Sequence, residues 1–297
     1  MIGDLLITLA KLNLAAAAAI FIVMVLRGPI LRLFGAQAAY ALWLIVPLAA
    51  TASLLPALRT VPAKAAGPDF ASLIESQPWL SGAAVAIWLI GAAVMTLSLA
   101  AGQRRFMRRA ARGQAGPAIV GVIDPRLILP RDFTERFTPQ EQALIRAHER
   151  VHMDRDDPRA NAVLAAVQCL FWFNPLVHLA ASRIRLDQEL SCDAAVVARY
   201  PNERKRYAAT MLKTQLAEQA LPVGCHWPAA GKHPLEARIA LLTAPSPGAA
   251  RQLLGFGLVA AIALLTAAAA WSAQPPRKQM PPPPAATLTV MDLLILR

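Results

Sequence analysis

Charge is what this chain has least of. Charged residues make up 16% of its 297 positions, while 56% are hydrophobic; an ordinary soluble domain carries about 25% charged residues. That deficit argues against a simple soluble globule and points toward a membrane. Acidic residues are scarcer still, 18 against 30 Lys and Arg, for a net charge of +12. Cysteine is nearly missing. Cys169, Cys192 and Cys225 contain no C-x-x-C pair, which leaves no basis for a disulfide framework or a cysteine zinc site.

The residues that replace charge are gathered in long apolar runs. They cover about 5–26, 34–56, 80–101 and Leu253–Trp271, and each approaches the roughly 20 residues a helix needs to cross a bilayer core. The first is longer than the apolar region of a signal peptide, and Arg27-Gly28-Pro29 replaces a small-residue cleavage site; an uncleaved helix followed by a short turn is expected. That turn holds Arg27 and Arg32 and no acid, whereas Arg59, Lys64, Asp69 and Glu75 cancel in the next loop. From Gln103 to Arg251 there are 22 Lys and Arg against 14 Asp and Glu, a net of +8. Positive loops stay inside, so four crossings put both ends outside and this long segment in the cytoplasm.

Four units are therefore expected: a three-helix membrane unit (1–102), a cytoplasmic domain (103–251), a fourth crossing (252–272) and a proline-rich periplasmic tail (273–297). The basic cluster at 104–114 reads as an anchor to anionic lipid, and direct nucleic-acid binding is not expected. "PAIVGVIDPRLILP" predicts a small strand pair around Asp124-Pro125. Thr138-Pro139-Gln140-Glu141 predicts a helix start, and Asp156-Asp157-Pro158 a stop followed by a second start. Ala160–Ala181 is apolar enough for a fifth crossing, yet holds Asn161, Gln168, Asn174-Pro175 and His178. A helical hairpin, buried in the domain or dipping into the inner leaflet, is the preferred reading.

The chemistry sits in "AHERVHMDRDD". His148 and His152, four apart on a helix, share one face and can bind one metal ion; Glu149 stands beside the open position, where it can take a proton from water. In "RLDQELSCDAAVV", Glu189 can supply a third zinc ligand, and Asp193 can orient a ligating histidine. His226 and His233 lie among Pro and Gly and read as loop residues. Arg155, His178 and Tyr200 are unranked candidates for stabilising an oxyanion.

The combination of H-E-x-x-H-x-x-R-x-D, F-W-F-N-P and D-Q-E-L-x-C-D across residues 115–198 resembles the BlaR/MecR-type membrane zinc peptidases, the antirepressor transducers of β-lactam resistance. The resemblance implies a mainly α, gluzincin-like domain with a small β element, inserted between the third and fourth membrane helices of a bacterial inner-membrane protein. It implies Zn2+ on His148, His152 and Glu189, Glu149 as base, and Asp193 behind a ligand. It also implies a cytoplasmic protein substrate such as a transcriptional repressor, aligned by edge pairing near Leu127–Leu129, with homodimerisation left open. Sensor members carry a penicillin-binding domain with a Ser-x-x-Lys nucleophile. No such motif occurs here, and direct acylation by a β-lactam is not expected. A quality-control peptidase, a non-catalytic receptor or scaffold with a structural zinc, and a transporter are the competing readings. An intact Glu149 weighs against the scaffold. Against the transporter, the charged constellation falls outside the apolar runs.

Overall fold

Glycine 35, not the Arg27-Gly28-Pro29 triplet, ends the first helix. In the computed structural model, which describes residues 2–58, 60–62, 78–216, 234–275 and 277–279, α1 (Ile2–Phe34) runs straight through Pro29. The expected turn there does not form. Arg27 stays helical because its guanidinium grips Asp187 with two bonds of 2.6 Å. The chain reverses at Gly35, whose φ of +92° costs least without a Cβ. A Cβ there would also lie 2.8 Å from Pro247 Cγ.

The second apolar run, expected as one span over 34–56, is broken. It forms α2 (Ala36–Ala41), a 3-10 turn (Leu42–Leu44) and α3 (Ile45–Ala52). Pro47 has no N–H to return to the carbonyl of Trp43, and its ring crowds that carbonyl. The resulting apolar helix, Ala36–Ala52, rises about 25 Å at 1.5 Å per residue, less than the roughly 30 Å of a bilayer core. Among the described residues, three helices are long and apolar enough to cross: α1, α4 (Pro78–Ala111) and α11 (Ala249–Ser272). The broken segment nevertheless follows α11 from end to end. Gly35 sits at Pro247, Trp271 Nε1 donates to the Pro56 carbonyl (2.8 Å), and Gln274 Nε2 donates to the Ala52 carbonyl (3.2 Å). Beyond these contacts β1 (Thr60–Pro62) pairs in parallel with β4 (Arg277–Gln279).

Past the basic end of α4, β2 (Ala118–Val120) pairs antiparallel with β3 (Arg126–Ile128) around Asp124-Pro125. A short α5 (Phe133–Arg136) leads to α6 (Pro139–Asp154). The Thr138 hydroxyl accepts from Glu141 N at 3.3 Å, and Glu141 Oε2 accepts from Thr138 N at 2.8 Å, a reciprocal cap that satisfies two otherwise orphaned N–H groups. Then follow α7 (Asp157–Leu170), α8 (Pro175–Arg199), α9 (Arg204–Leu216) and α10 (Pro234–Thr243).

Residues 160–181 are a helical hairpin, α7 turning into α8 at Phe171–Asn174, and its tip is wedged between α1 and α4. Asn174 caps α8 by accepting from Leu176 N, and its amide donates to Asn13 Oδ1 at 2.7 Å. Trp172 Nε1 donates to the Trp88 carbonyl (3.2 Å), and Trp88 Nε1 donates to the Leu170 carbonyl (2.8 Å). The Asn174 amide, both indoles and the Leu170 and Trp88 carbonyls thus find protein partners, as polar groups in apolar surroundings require. Asn13 lies about 20 Å along α1 from Arg27.

Two apolar cores result, and α8 belongs to both. Val177 and Ala180 from its first half join Ile20, Val23, Ala39, Leu42 and Phe171 in one core. Val196 and Val197 from its last turns join Phe133, Phe137, Leu144, Ile145, Tyr207 and Met211 in the other. Its 25 residues span about 37 Å.

The Trp172 indole lies flat against Gly91 of α4, where any Cβ would overlap its ring. Gly91→Ala is expected to dislodge the hairpin tip and to destabilise the protein by about 1–3 kcal/mol, the usual cost of overpacking. Urea unfolding of the purified protein in detergent measures it. An unchanged midpoint would mean that the tip is not seated there.

Candidate metal centre

Two helices meet at the pentad. α6 presents His148 and His152 one turn apart, and the middle of α8 brings Glu189 against both. His148 Nε2 lies 3.2 Å from His152 Nε2 and 3.3 Å from Glu189 Oε2, while His152 Nε2 lies 3.5 Å from Glu189 Oε1. Three ligands each about 2.0–2.1 Å from a tetrahedral ion stand about 3.3–3.4 Å apart. The two histidines and the Glu189 carboxylate, one oxygen facing each ring, are therefore spaced to hold one ion of zinc's size.

The outer ring nitrogens are both taken. His152 Nδ1 faces Asp157 Oδ2 at 2.7 Å. His148 Nδ1 faces the Tyr207 hydroxyl at 2.8 Å, and that hydroxyl donates to Asp193 Oδ1 at 2.6 Å. Acceptors at Nδ1 hold the proton there and leave the Nε2 lone pairs pointing inward. Asp193 itself stands 3.4 Å from His148 Nδ1, so Tyr207 carries most of its influence on the ring.

Two arginines serve the three carboxylates around the histidines. Buried Arg238 of α10 grips Asp193 with two bonds of 2.7 Å and reaches Glu189 Oε2 at 2.9 Å. Burial alone would raise the Glu189 pKa; Arg238 and the two histidines override it and hold Glu189 well below the usual carboxylate range. Asp157 is likewise pushed up by burial and pulled down further by His152 and Arg155. Burial lowers the pKa of His152, but bonds to Asp157, Cys192 and Glu189 raise it well above that of a free imidazole. The cluster of inward acceptors favours a cation, proton or metal.

Glu149 is displaced the other way. Burial raises its pKa, and the nearby Glu189 adds to that, while His148 and His152 oppose it. A carboxyl nearer neutrality can both accept a proton and return one.

A second grouping shares His152: its Nδ1 is 3.3 Å from Cys192 Sγ, which lies 3.9 Å from Asp157 Oδ2. Burial pushes the Cys192 thiol up, and Asp157 Oδ2 already accepts from Arg155 at 2.5 Å. This side of His152 is built to orient the ring.

The structure also separates residues the sequence left together. Arg155 is a brace, donating to Asp157, to Ser191 Oγ (2.7 Å) and to the Gln188 carbonyl (3.3 Å). His178 bonds to Gln168 and to the Trp172 carbonyl near the hairpin tip, eleven residues and about 16 Å along α8 from Glu189. Tyr200 caps α8 under Arg199, and Tyr207 is the tyrosine in the centre. Cys225, His226 and His233 lie outside the described residues. Tyr207, Arg238 and Asp157 were not singled out as site residues from sequence. Of these only Asp157 carries a local signal, as part of the helix start at Asp156-Asp157-Pro158 and as the last position of H-E-x-x-H-x-x-R-x-D.

A profile of the BlaR1 peptidase M56 family matches residues 7–242, most of the chain. The chain belongs to that family. Segments of this M56 protein are similar to the regulatory protein BlaR1 of Bacillus licheniformis, 37% identical over 81 residues, 27% of this chain and 13% of the relative. They are also similar to the methicillin resistance mecR1 protein of Staphylococcus aureus, 27% identical over 101 residues, 34% of this chain and 17% of the relative. The M56 chain thus matches less than a fifth of those proteins' lengths. No solved structure matches it.

Arg238→Met would leave Asp193, which has no solvent exposure, without its ion-pair partner. Breaking a buried pair on one side costs about 3–5 kcal/mol. Chemical denaturation of the metal-free M56 protein is expected to show a loss in that range. A loss under 1 kcal/mol would mean that Asp193 draws its stabilisation elsewhere.

Proposed function

We propose that this chain is a zinc endopeptidase of a bacterial inner membrane, with His148, His152 and Glu189 as metal ligands and Glu149 as general base. The convergence of two imidazole nitrogens 3.2 Å apart on the Glu189 carboxylate, one oxygen 3.3 Å from His148 and the other 3.5 Å from His152, carries this reading. When bound, zinc supplies Lewis acidity and brings the pKa of a water to about 7. Glu149 takes the proton from the attacking water on its carboxylate and delivers it to the departing amine. Its burial raises the carboxyl's proton affinity, which favours a group that takes up a proton and then returns it. Asp157 and the Tyr207–Asp193 pair keep the imidazoles in one tautomer and one orientation. Arg238 keeps Glu189 ionised.

The chain crosses the membrane four times in this reading, although one crossing is broken. Its support is the path of residues 36–56, bracketed against α11 by Pro247 at one end and Trp271 at the other. Both chain ends are then periplasmic and the metal centre faces the cytoplasm, where the net positive charge lies. The α7–α8 hairpin is re-entrant, its tip held at Asn13 and Trp88 within the apolar band. The β3 edge, with one side unpaired among the described residues, can receive an extended peptide.

The substrate is a cytoplasmic protein, and the names of the relatives, a regulatory protein and a methicillin resistance protein, favour a transcriptional repressor cut in response to an envelope signal.

Comparing whole-cell proteomes of cells carrying the wild type and Glu149→Gln tests the reaction. Fragments of one or a few cytoplasmic proteins should vanish with Glu149→Gln, while the purified variant keeps its zinc. An identical set of fragments from both would contradict the protease assignment. In metal analysis, His148→Ala and Glu189→Ala should each lose zinc, and full occupancy in Glu189→Ala would remove Glu189 from the ligand set.

A further inference from the structure

The orienting network behind His152 does not close within the helices that carry the motifs. Asp157 uses its two oxygens differently. Oδ2 takes both strong donors, His152 and Arg155, and Oδ1 accepts from the Tyr40 hydroxyl at 3.1 Å. Tyr40 comes from α2, on the apolar N-terminal unit. Gln188 Nε2 donates into the Tyr40 oxygen at 3.1 Å, which aims the phenolic proton at Asp157. The Arg155 guanidinium lies over the Tyr40 ring, 4.8 Å from its centre.

We propose that Tyr40 is a positioning residue of the metal centre: its hydroxyl fixes the Asp157 carboxylate, which fixes the ring of His152. Without it, both strong donors pull on one oxygen and the carboxylate is free to swing about its Cβ–Cγ bond. The zinc site is therefore complete only while α2 is docked on α8. The inference rests on the zinc reading above, and its consequence is that zinc affinity depends on a side chain remote from the pentad and from Glu189.

The full chain in nanodiscs, stripped of metal and titrated with zinc against a competing chelator, provides the test. Tyr40→Phe keeps the ring and its cation–π contact and removes only the hydroxyl. Changes behind a ligating histidine typically cost 10–100-fold in metal affinity, and about a tenfold loss is expected here. Because Tyr40 acts through Asp157, the double variant Tyr40→Phe with Asp157→Asn should bind no more weakly than Asp157→Asn alone. Trp43→Phe removes an indole bond of 2.8 Å to Asp187 made from the 3-10 turn that follows α2, while Arg27 keeps its two bonds to that carboxylate and holds α8 in register. It should lower the melting temperature and leave zinc affinity within about twofold. Should Tyr40→Phe not fold, Gln188→Leu, which frees the phenolic proton, should weaken zinc in the same direction.

Three results would overturn the inference: affinity of the hydroxyl-removing variants within twofold of wild type, multiplying effects of Tyr40→Phe and Asp157→Asn, or an equal loss in Trp43→Phe. A wild type that binds zinc no better than His148→Ala would instead sink the metal reading itself.

Discussion

The carboxylate of Asp187 has no contact with solvent, and its three donors come from the other end of the chain. Arg27 of α1 supplies two and the Trp43 indole supplies the third. A buried ion pair is weak evidence for net stability, but breaking one side of it is costly. Its value here is in register. The pair of Arg27 and Asp187 fixes the rotation and height of α8 against α1, and Glu189 is two residues further along α8. If that helix turned by one residue, about 100°, Glu189 would leave the pentad altogether. The hairpin tip, the second apolar core and the metal centre all take their place from this one anchored helix.

The centre is a balance of charges that sequence spacing alone does not display. Two carboxylates, Asp193 and Asp157, sit behind the histidines, and Arg238 and Arg155 neutralise them. Glu189 shares Arg238 and faces both inward nitrogens. Of the two glutamates, Glu149 is the one pushed toward its neutral form. Two carboxyl groups in one small site are thereby driven in opposite directions, one suited to holding a cation and the other to moving a proton.

What could be read from the sequence followed from short-range geometry. The Thr138–Glu141 cap, the i and i+4 histidines and the hairpin broken at Asn174-Pro175 are all local, and each has one structural meaning at its spacing. Glu189 and Asp193 were legible as a pair because they too are four apart on a helix. The second apolar run misled because its composition matches a continuous span, whereas Pro47 and the 3-10 turn set its geometry. Arg27 was read as a charged turn because its partner is 160 residues away. Tyr207, Arg238 and Tyr40 stand 59, 45 and 117 residues from the groups they hold. No periodicity links such residues before the chain is folded.

X-ray absorption at the zinc edge, on the purified full-length protein loaded with one equivalent of zinc, tests the central claim most directly. The geometry predicts a first shell of nitrogen and oxygen alone near 2.0–2.1 Å, with the outer-shell signature of two imidazoles. A sulfur scatterer near 2.3 Å would place the ion on Cys192, on the wrong side of His152, and would contradict the account.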